Sequence, residues 1–170
     1  MTPYFAYGSN MLTARLRARV PSTMPVGPAR LADHRLAWRM AGPDGSAKCD
    51  ITPAPGEVVH GVLFRLAEAE LPLLDAAEGL GKGYDRETVT VTTTDGEAVP
   101  ALVYRALVHD PDRHPYDWYK GFVVAGAREH GLPADYIADL EAVTSASDPD
   151  RKRAAANFTL QGGSDGADAI

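Results

Sequence analysis

The sequence predicts a mixed α/β (α+β) domain built around a curved or closed sheet, and three observations lead there. Strand-like runs outnumber helical ones yet are interleaved with them. The helical runs end on recognisable stop signals. The 170 residues are 45% hydrophobic and 24% charged, which suits one soluble domain with a substantial core.

Pro3–Tyr7 reads as a short aromatic first strand, broken by Gly8-Ser9-Asn10. Met11–Val20 follows as a helix, with Leu12, Leu16 and Val20 at helical spacing. Pro21, Pro25 and Pro28 punctuate a loop, after which Arg30–Met40 is extended with Leu36 and Trp38 on one face. Gly42–Ala47 is a turn-rich tip. Cys49–Thr52 and Val58–Leu66 are strands separated by Pro53-Ala54-Pro55-Gly56. Glu68–Glu78 is a helix stopped by Gly79. Tyr84–Thr94 alternates β-branched and polar residues, and Asp95-Gly96 turns it into Ala98–Leu107 as a hairpin. Tyr116–His130 is a helix ending at Gly131, and Pro133 opens a last one running to about Val143. Beyond Thr144 small and polar residues dominate, and Gly162–Ile170 is expected to be disordered.

Charge and composition exclude several function classes. The formal net charge is −6, and clustered basic residues occur only at Arg15–Arg19 and Arg151–Arg153, the latter read as a solvated charge run. A nucleic-acid partner is therefore not expected, since phosphate binding needs excess basic charge on one face. Cys49 is the sole cysteine, and the five histidines lack metal-ligand spacing, so no metal is expected. No basic leader with an apolar run opens the sequence, and no stretch approaches membrane-spanning length. A cytoplasmic protein without a membrane partner is the expectation.

Two features point to chemistry. The first is Phe5-Ala6-Tyr7-Gly8-Ser9-Asn10-Met11, a strand running through a glycine turn into a helix start. Such a junction offers unpaired N–H groups to a carboxylate or oxyanion, and glycine permits close approach of the backbone. Plain helix capping by Ser9 or Asn10 explains the same residues. The second is Glu78. At about 100° per residue, it falls between Leu71 and Leu74 on an apolar arc that includes Leu73, Ala77 and Leu80. A carboxylate in an apolar setting suits a group that takes and returns a proton near neutrality. An exposed Glu at a helix end fits the same spacing. The flexible Gly79-Leu80-Gly81-Lys82-Gly83 stretch follows it. Tyr116, Trp118 and Tyr119 form an aromatic cluster that core packing would explain.

Taken in order, these pieces resemble the γ-glutamylcyclotransferase family. Tyr4-Phe5-Ala6-Tyr7-Gly8-Ser9-Asn10-Met11 resembles its signature, and Leu74-Asp75-Ala76-Ala77-Glu78-Gly79 its Leu-Asp-x-x-Glu-Gly catalytic segment. Pro55-Gly56 through Gly61-Val62 resembles its Pro-Gly-x-x-x-x-Gly-Val strand, and Tyr119-Lys120 with Ala125–Pro133 its late helix and exit. The resemblance implies a small mixed β-barrel flanked by helices, with the pocket at the barrel mouth. It makes Glu78 the acid–base residue and Tyr4, Phe5, Ala6, Tyr7, Gly8 and Ser9 the substrate loop, with Asn10 completing it. Tyr119 matches a substrate-contacting tyrosine. Tyr84 takes the place of a mobile-loop aromatic at a spacing one residue shorter than in the relatives. The implied reaction cyclises a γ-glutamyl amino acid or amine to 5-oxoproline and needs no cofactor. The Asn-Met ending separates this chain from relatives ending Tyr-Gly-Ser-Leu and points away from glutathione. The catalytic domain is expected to span 1–143, with 144–170 a partly disordered extension, and the protein to be a monomer or homodimer.

Three other readings compete. One is a pathway-specific cyclotransferase removing a γ-glutamyl protecting group from a larger intermediate. Another is a non-catalytic binding module of the same fold. The third, a serine hydrolase using Ser9, lacks a recognisable elbow and His/Asp partners.

Overall fold

The computed structural model describes residues 1–162, with side chains to 160. Five strands, β1 Thr2–Ala6, β2 Met24–Ala41, β3 Ala47–Leu66, β4 Tyr84–Thr93 and β5 Ala98–Ala106, close into a barrel in the order β1-β3-β2-β4-β5. A 3-10 turn, Ser9–Met11, leads into α1 Thr13–Arg19, and Glu68–Glu70 forms a second such turn before α2 Leu71–Glu78. The remaining described helices are α3 Asp117–Glu129, α4 Ala134–Ala142 and α5 Arg151–Gly162.

The barrel is dominated by one long hairpin. β2 and β3 pair antiparallel from Met24↔Arg65 to Ala41↔Ala47, with the 42–46 turn at the tip. Both strands run further than the prolines predict. Pro25 and Pro28 lie within β2 instead of in a loop, next to a register irregularity between Pro25 and Gly27. Proline is tolerated at bulges because a ladder donor is already missing there. Pro53–Gly56 likewise does not split β3. Ala32 pairs with Val58 and His34 with Pro53, so the intervening residues leave the direct register while the strand continues. Gly56, at φ 82°, donates its N–H to the Asp33 carboxylate at 2.9 Å.

The other seams are short. β4 and β5 form the predicted hairpin, closing at Thr92↔Ala98. β4 meets β2 only at Ala29↔Thr93 and Arg30↔Thr92, and β1 meets β5 in parallel at Tyr4↔Leu102. Phe5, Phe64, Ile51, Val59, Val62 and Val103 belong to the hydrophobic core on the two faces of the barrel wall and are fully or nearly fully buried. Each such side chain contributes about 1.5–3 kcal/mol on burial.

The amphipathic face of α3 packs on the 3-10 turn. Trp118, Tyr119, Phe122, Val123 and Ala127 are buried in it, joining the core of Met11, Leu12 and Leu16. The C-terminal end of α3 caps α1. The Thr13 N–H donates to the Glu129 carboxylate at 3.0 Å, and the Thr13 hydroxyl lies 3.0 Å from His130 Nε2. The stretch after Thr144 returns to α3: Tyr116 bridges to Ala146, and Asp148 accepts from Trp118 Nε1 at 2.8 Å. Arg153, read from sequence as part of a solvated run, instead grips the buried Asp148 carboxylate at 2.6 and 2.7 Å. Beyond Gly162 the expected disorder falls outside the described residues.

Candidate active site

The β1 exit, the 3-10 turn, the end of α2 and the start of α3 converge on one cleft. Its lining includes Tyr4, Tyr7, Gly8, Ser9 and Asn10 from the first segment, and Cys49 from β3. Glu78, Tyr84, Tyr104 and Tyr119 complete it. The cleft is small, about 30 Å³. It shares Ser9, Glu78, Tyr84 and Tyr119 with an adjoining cavity of about 560 Å³. Phe5 and Ala6 do not line either space. Phe5 is wholly buried against Gly61, and Ala6 pairs with Val62 in the barrel wall.

Glu78 reaches the cleft because of how α2 is fastened. Asp75 and Glu78 stand three residues apart, hence on one helical face. Asp75 accepts from the Tyr104 hydroxyl at 2.6 Å and from Arg86 at 3.0 and 3.1 Å, tying α2 to β5 and β4. Gly79, at φ 63°, ends the helix immediately after Glu78. The apolar setting expected from the sequence is absent. Leu74 is the buried residue of α2, whereas Leu73 and Leu80 are 49% and 39% exposed. Too little of this short helix packs on the core for a broad apolar arc.

Polar partners hold Glu78 instead. Asn10 Nδ2 donates to Glu78 Oε1 at 2.9 Å and to the Tyr4 hydroxyl at 3.0 Å. The Arg19 guanidinium donates to Asn10 Oδ1 and to Glu78 Oε1, each at 2.9 Å. Asn10 is thus neither a simple helix cap nor free to face a ligand; its amide is spent on Tyr4, Arg19 and Glu78. Ser9 Oγ accepts from Arg15 Nε at 3.1 Å, and the Arg15 guanidinium lies 4.3 Å over the Phe122 ring.

The tyrosines form a protonated wall. Burial, first of all, raises the phenols of Tyr4, Tyr7, Tyr84 and Tyr119 above their ordinary value. Burial also pushes the Cys49 thiol up to about 12. At neutral pH these groups keep their protons and act as hydrogen-bond donors, not bases. Their hydroxyls are engaged: Tyr7 donates to the Tyr104 carbonyl, and Tyr84 to the Cys49 carbonyl at 2.7 Å. The Cys49 N–H donates to Tyr119 Oη at 3.0 Å. Among the described residues lining the cleft, Glu78 carries the only carboxylate.

The larger cavity is cationic. Arg15, Arg19, Lys48 and Lys82 line it against Asp44 and Glu78. Lys48 is pinned by Asp44 at 2.7 Å and Ser46 at 2.6 Å, with its ammonium 4.6 Å from the Trp118 ring centre and 4.7 Å from that of Tyr119.

Gly8 sits where a side chain has little room. A Cβ there would lie 3.1 Å from Cys49 Cβ and 3.3 Å from Tyr119 Oη. Gly8→Val should fill the cleft and lower kcat/KM by about tenfold or more. Michaelis kinetics that match the parent protein would remove the cleft from the substrate path.

Sequence reasoning missed Arg15, Arg19, Cys49, Lys48 and Tyr104. A signal for the arginines existed: Arg15 and Arg19 are four apart on the helix that follows Ser9-Asn10, so both present to one side of it.

Comparison with known proteins bears on the family and the fold. The profile of the AIG2-like family matches residues 58–140. The chain is 34% identical to the gamma-glutamylcyclotransferase of Bos taurus over 148 residues, covering 82% of this chain and 77% of that protein. It is also 34% identical to the Homo sapiens gamma-glutamylcyclotransferase over 146 residues, with the same coverage. A solved gamma-glutamyl cyclotransferase structure superposes with a TM-score of 0.84 at 28% identity, covering 93% of this chain and 98% of that one.

Proposed function

This chain belongs to the γ-glutamylcyclotransferase family, and on that premise we propose that it converts a γ-glutamyl amino acid to 5-oxoproline and the free amino acid, with Glu78 carrying the proton. The observation that carries the residue assignment is the isolation of one carboxylate within a wall of buried, protonated phenols. An acid–base group must exchange its proton near neutrality, and neither the phenols nor the Cys49 thiol can.

The reaction needs no water. Glu78 takes a proton from the substrate α-ammonium, and the freed amine adds to the γ-carbonyl to form the new C–N bond of the ring. As the original γ-amide C–N bond breaks, Glu78 gives its proton to the departing nitrogen. The second proton that the α-nitrogen sheds also reaches the leaving amine, by way of solvent, so neither acid nor base accumulates. Folding the substrate so that its own amine meets its carbonyl can supply about 7–11 kcal/mol of the barrier. The tyrosine wall and the Gly8–Asn10 backbone are assigned this folding task, with the backbone amides near the developing oxyanion.

Cavity size and charge bear on the leaving group. The 30 Å³ cleft cannot hold a γ-glutamyl dipeptide, whereas the adjoining 560 Å³ falls in the usual range for small-molecule sites. Arg19 is engaged with Glu78 and Lys48 with Asp44, and the remaining cations of the lining, Arg15 and Lys82, favour a leaving group that bears a carboxylate over a simple amine. A panel of γ-glutamyl amino acids and γ-glutamyl amines, assayed for 5-oxoproline release, tests this. Release ranked with the amino acids ahead is expected; release from the amines alone would reverse the leaving-group assignment.

A further inference from the structure

We infer that Arg19 is a positioning residue for this reaction, tethering one oxygen of Glu78 so that the other is presented to the substrate nitrogen. This rests on the reading of Glu78 as the acid–base residue.

Asn10 and Arg19 both donate to the same carboxylate oxygen, Oε1, at 2.9 Å. Arg19 also donates to Asn10 Oδ1, fixing which end of that amide faces Glu78. With the oxygen end of Asn10 occupied by a guanidinium, its NH2 end is left for Tyr4 and Glu78. The three side chains therefore lock one another: Arg19 orients Asn10, and both orient Glu78. Two charge-assisted or polar bonds on Oε1 leave Oε2 as the atom that takes and returns the proton.

The tether answers a geometric need. Glu78 is the last residue of α2, a helix with one buried side chain, and a flexible carboxylate there would sample many rotamers. Proton transfer requires the base within about 2.6–3.2 Å of its target. The apolar packing that would otherwise restrain Glu78 is missing, and the Arg19–Asn10 pair takes its place. Arg19 is suited to the part because its side chain is three-quarters shielded, and Glu78 still more so.

One nitrogen of Arg19, Nη1, makes both bonds. An ammonium can imitate a single donor nitrogen in a way that it cannot imitate a two-nitrogen fork. That yields a distinguishing test with a γ-glutamyl amino acid substrate. Arg19→Met should lower kcat by about 10- to 100-fold with KM held within about twofold, since a misplaced base costs rate and not ground-state binding. Arg19→Lys should recover most of the lost kcat. Thermal unfolding of each variant separates this from a loss of folded protein. Three outcomes would overturn the inference: unchanged kcat in Arg19→Met; a rise confined to KM, which would make Arg19 an anchor for the substrate carboxylate; or equal loss in the Met and Lys variants. Glu78→Gln run alongside keeps the two readings apart. If it retains turnover, the Glu78 assignment itself fails; if it is inactive while Arg19→Met is normal, only the tether fails.

Discussion

Glu78→Gln is expected to lower turnover by about 10²–10⁴-fold while the protein stays folded, the range over which a positioned acid–base group acts. The substitution is nearly isosteric, and a glutamine carbonyl oxygen can still accept from Asn10 Nδ2 and Arg19 Nη1, the two donors that hold Oε1. What it loses is the ability to take up a proton from an ammonium at neutral pH. The stability cost should be small. The Arg19–Glu78 pair has side chains 25% and 14% exposed, so it is screened in part by solvent and worth about 1 kcal/mol or less. For a chain of this size that is a fall in Tm of about 2–4 °C. Rate is read as 5-oxoproline formed per folded molecule, and stability by thermal unfolding. A stable variant turning over at the parent rate would show that Glu78 is not the proton carrier. Residual activity far above the expected range would leave it a contributor to binding only.

Gly126→Ala should produce the largest stability loss of any single methyl addition in the helical layer, and should damage the site as well. Gly126 lies in α3 where that helix crosses the 3-10 turn. A Cβ built on it would stand 2.4 Å from the Leu12 nitrogen and 2.5 Å from the Met11 carbonyl carbon. Both are backbone atoms, so no side-chain rotation relieves the overlap, and either α3 or the turn has to move. Alanine in a helix interior is favoured over glycine by about 1 kcal/mol. Overpacking of a well-filled core typically costs about 1–3 kcal/mol, and a clash with main chain belongs at or beyond the upper end. The overlap wins, for a net loss of about 2 kcal/mol and a Tm lower by roughly 4–8 °C. The shift is transmitted directly to Ser9 and Asn10, the residues of that same turn. Turnover measured well below Tm should therefore fall too, by up to about 10²-fold for a displacement near 1 Å. A variant as stable and active as the parent would mean that α3 does not set the position of the turn.

Much of the barrel was legible in the sequence because its hairpins carry strong local punctuation. Asp95-Gly96 between two alternating runs gave the β4–β5 hairpin, and Gly42–Ala47 gave the tip between β2 and β3. The prolines misled for a physical reason. Pro25, Pro28 and Pro53 were read as breakers, yet each sits near a register irregularity of the long hairpin, where a missing N–H costs little. At the site, Tyr4, Tyr7, Gly8, Ser9, Asn10, Glu78, Tyr84 and Tyr119 do come together, although 70 positions separate Cys49 from the tyrosine whose hydroxyl meets it. Phe5 and Ala6, carried along with the same motif, turn out to build the wall behind it. The surroundings of Glu78 were not legible. Helical periodicity reports which residues share a face, not which face meets the core, and on α2 only Leu74 is buried. The spacing of Arg15 and Arg19 marks a shared side of α1, but the pairing of Arg19 with Glu78 was not legible: the two lie 59 positions apart, and no local pattern records such a contact.

The single rung that joins β1 to β5 carries a consequence for how the molecule comes into being. β1 leaves the ribosome before its neighbours, and it must wait for β3 and then β5 before both its edges are covered. Tyr7 finds its carbonyl partner 97 positions later, on Tyr104. Growth at about 5–20 residues per second makes that a wait of several seconds. During that time the Tyr7–Asn10 turn has no closed barrel beneath it and no α3 above it. The long β2–β3 hairpin, assembled from sequence neighbours, is complete well before then and gives the waiting strand an edge to add to. Within the barrel, β1 is made before the strands that flank it yet has both edges covered only once β5 exists, so the cleft comes into existence together with the closed barrel.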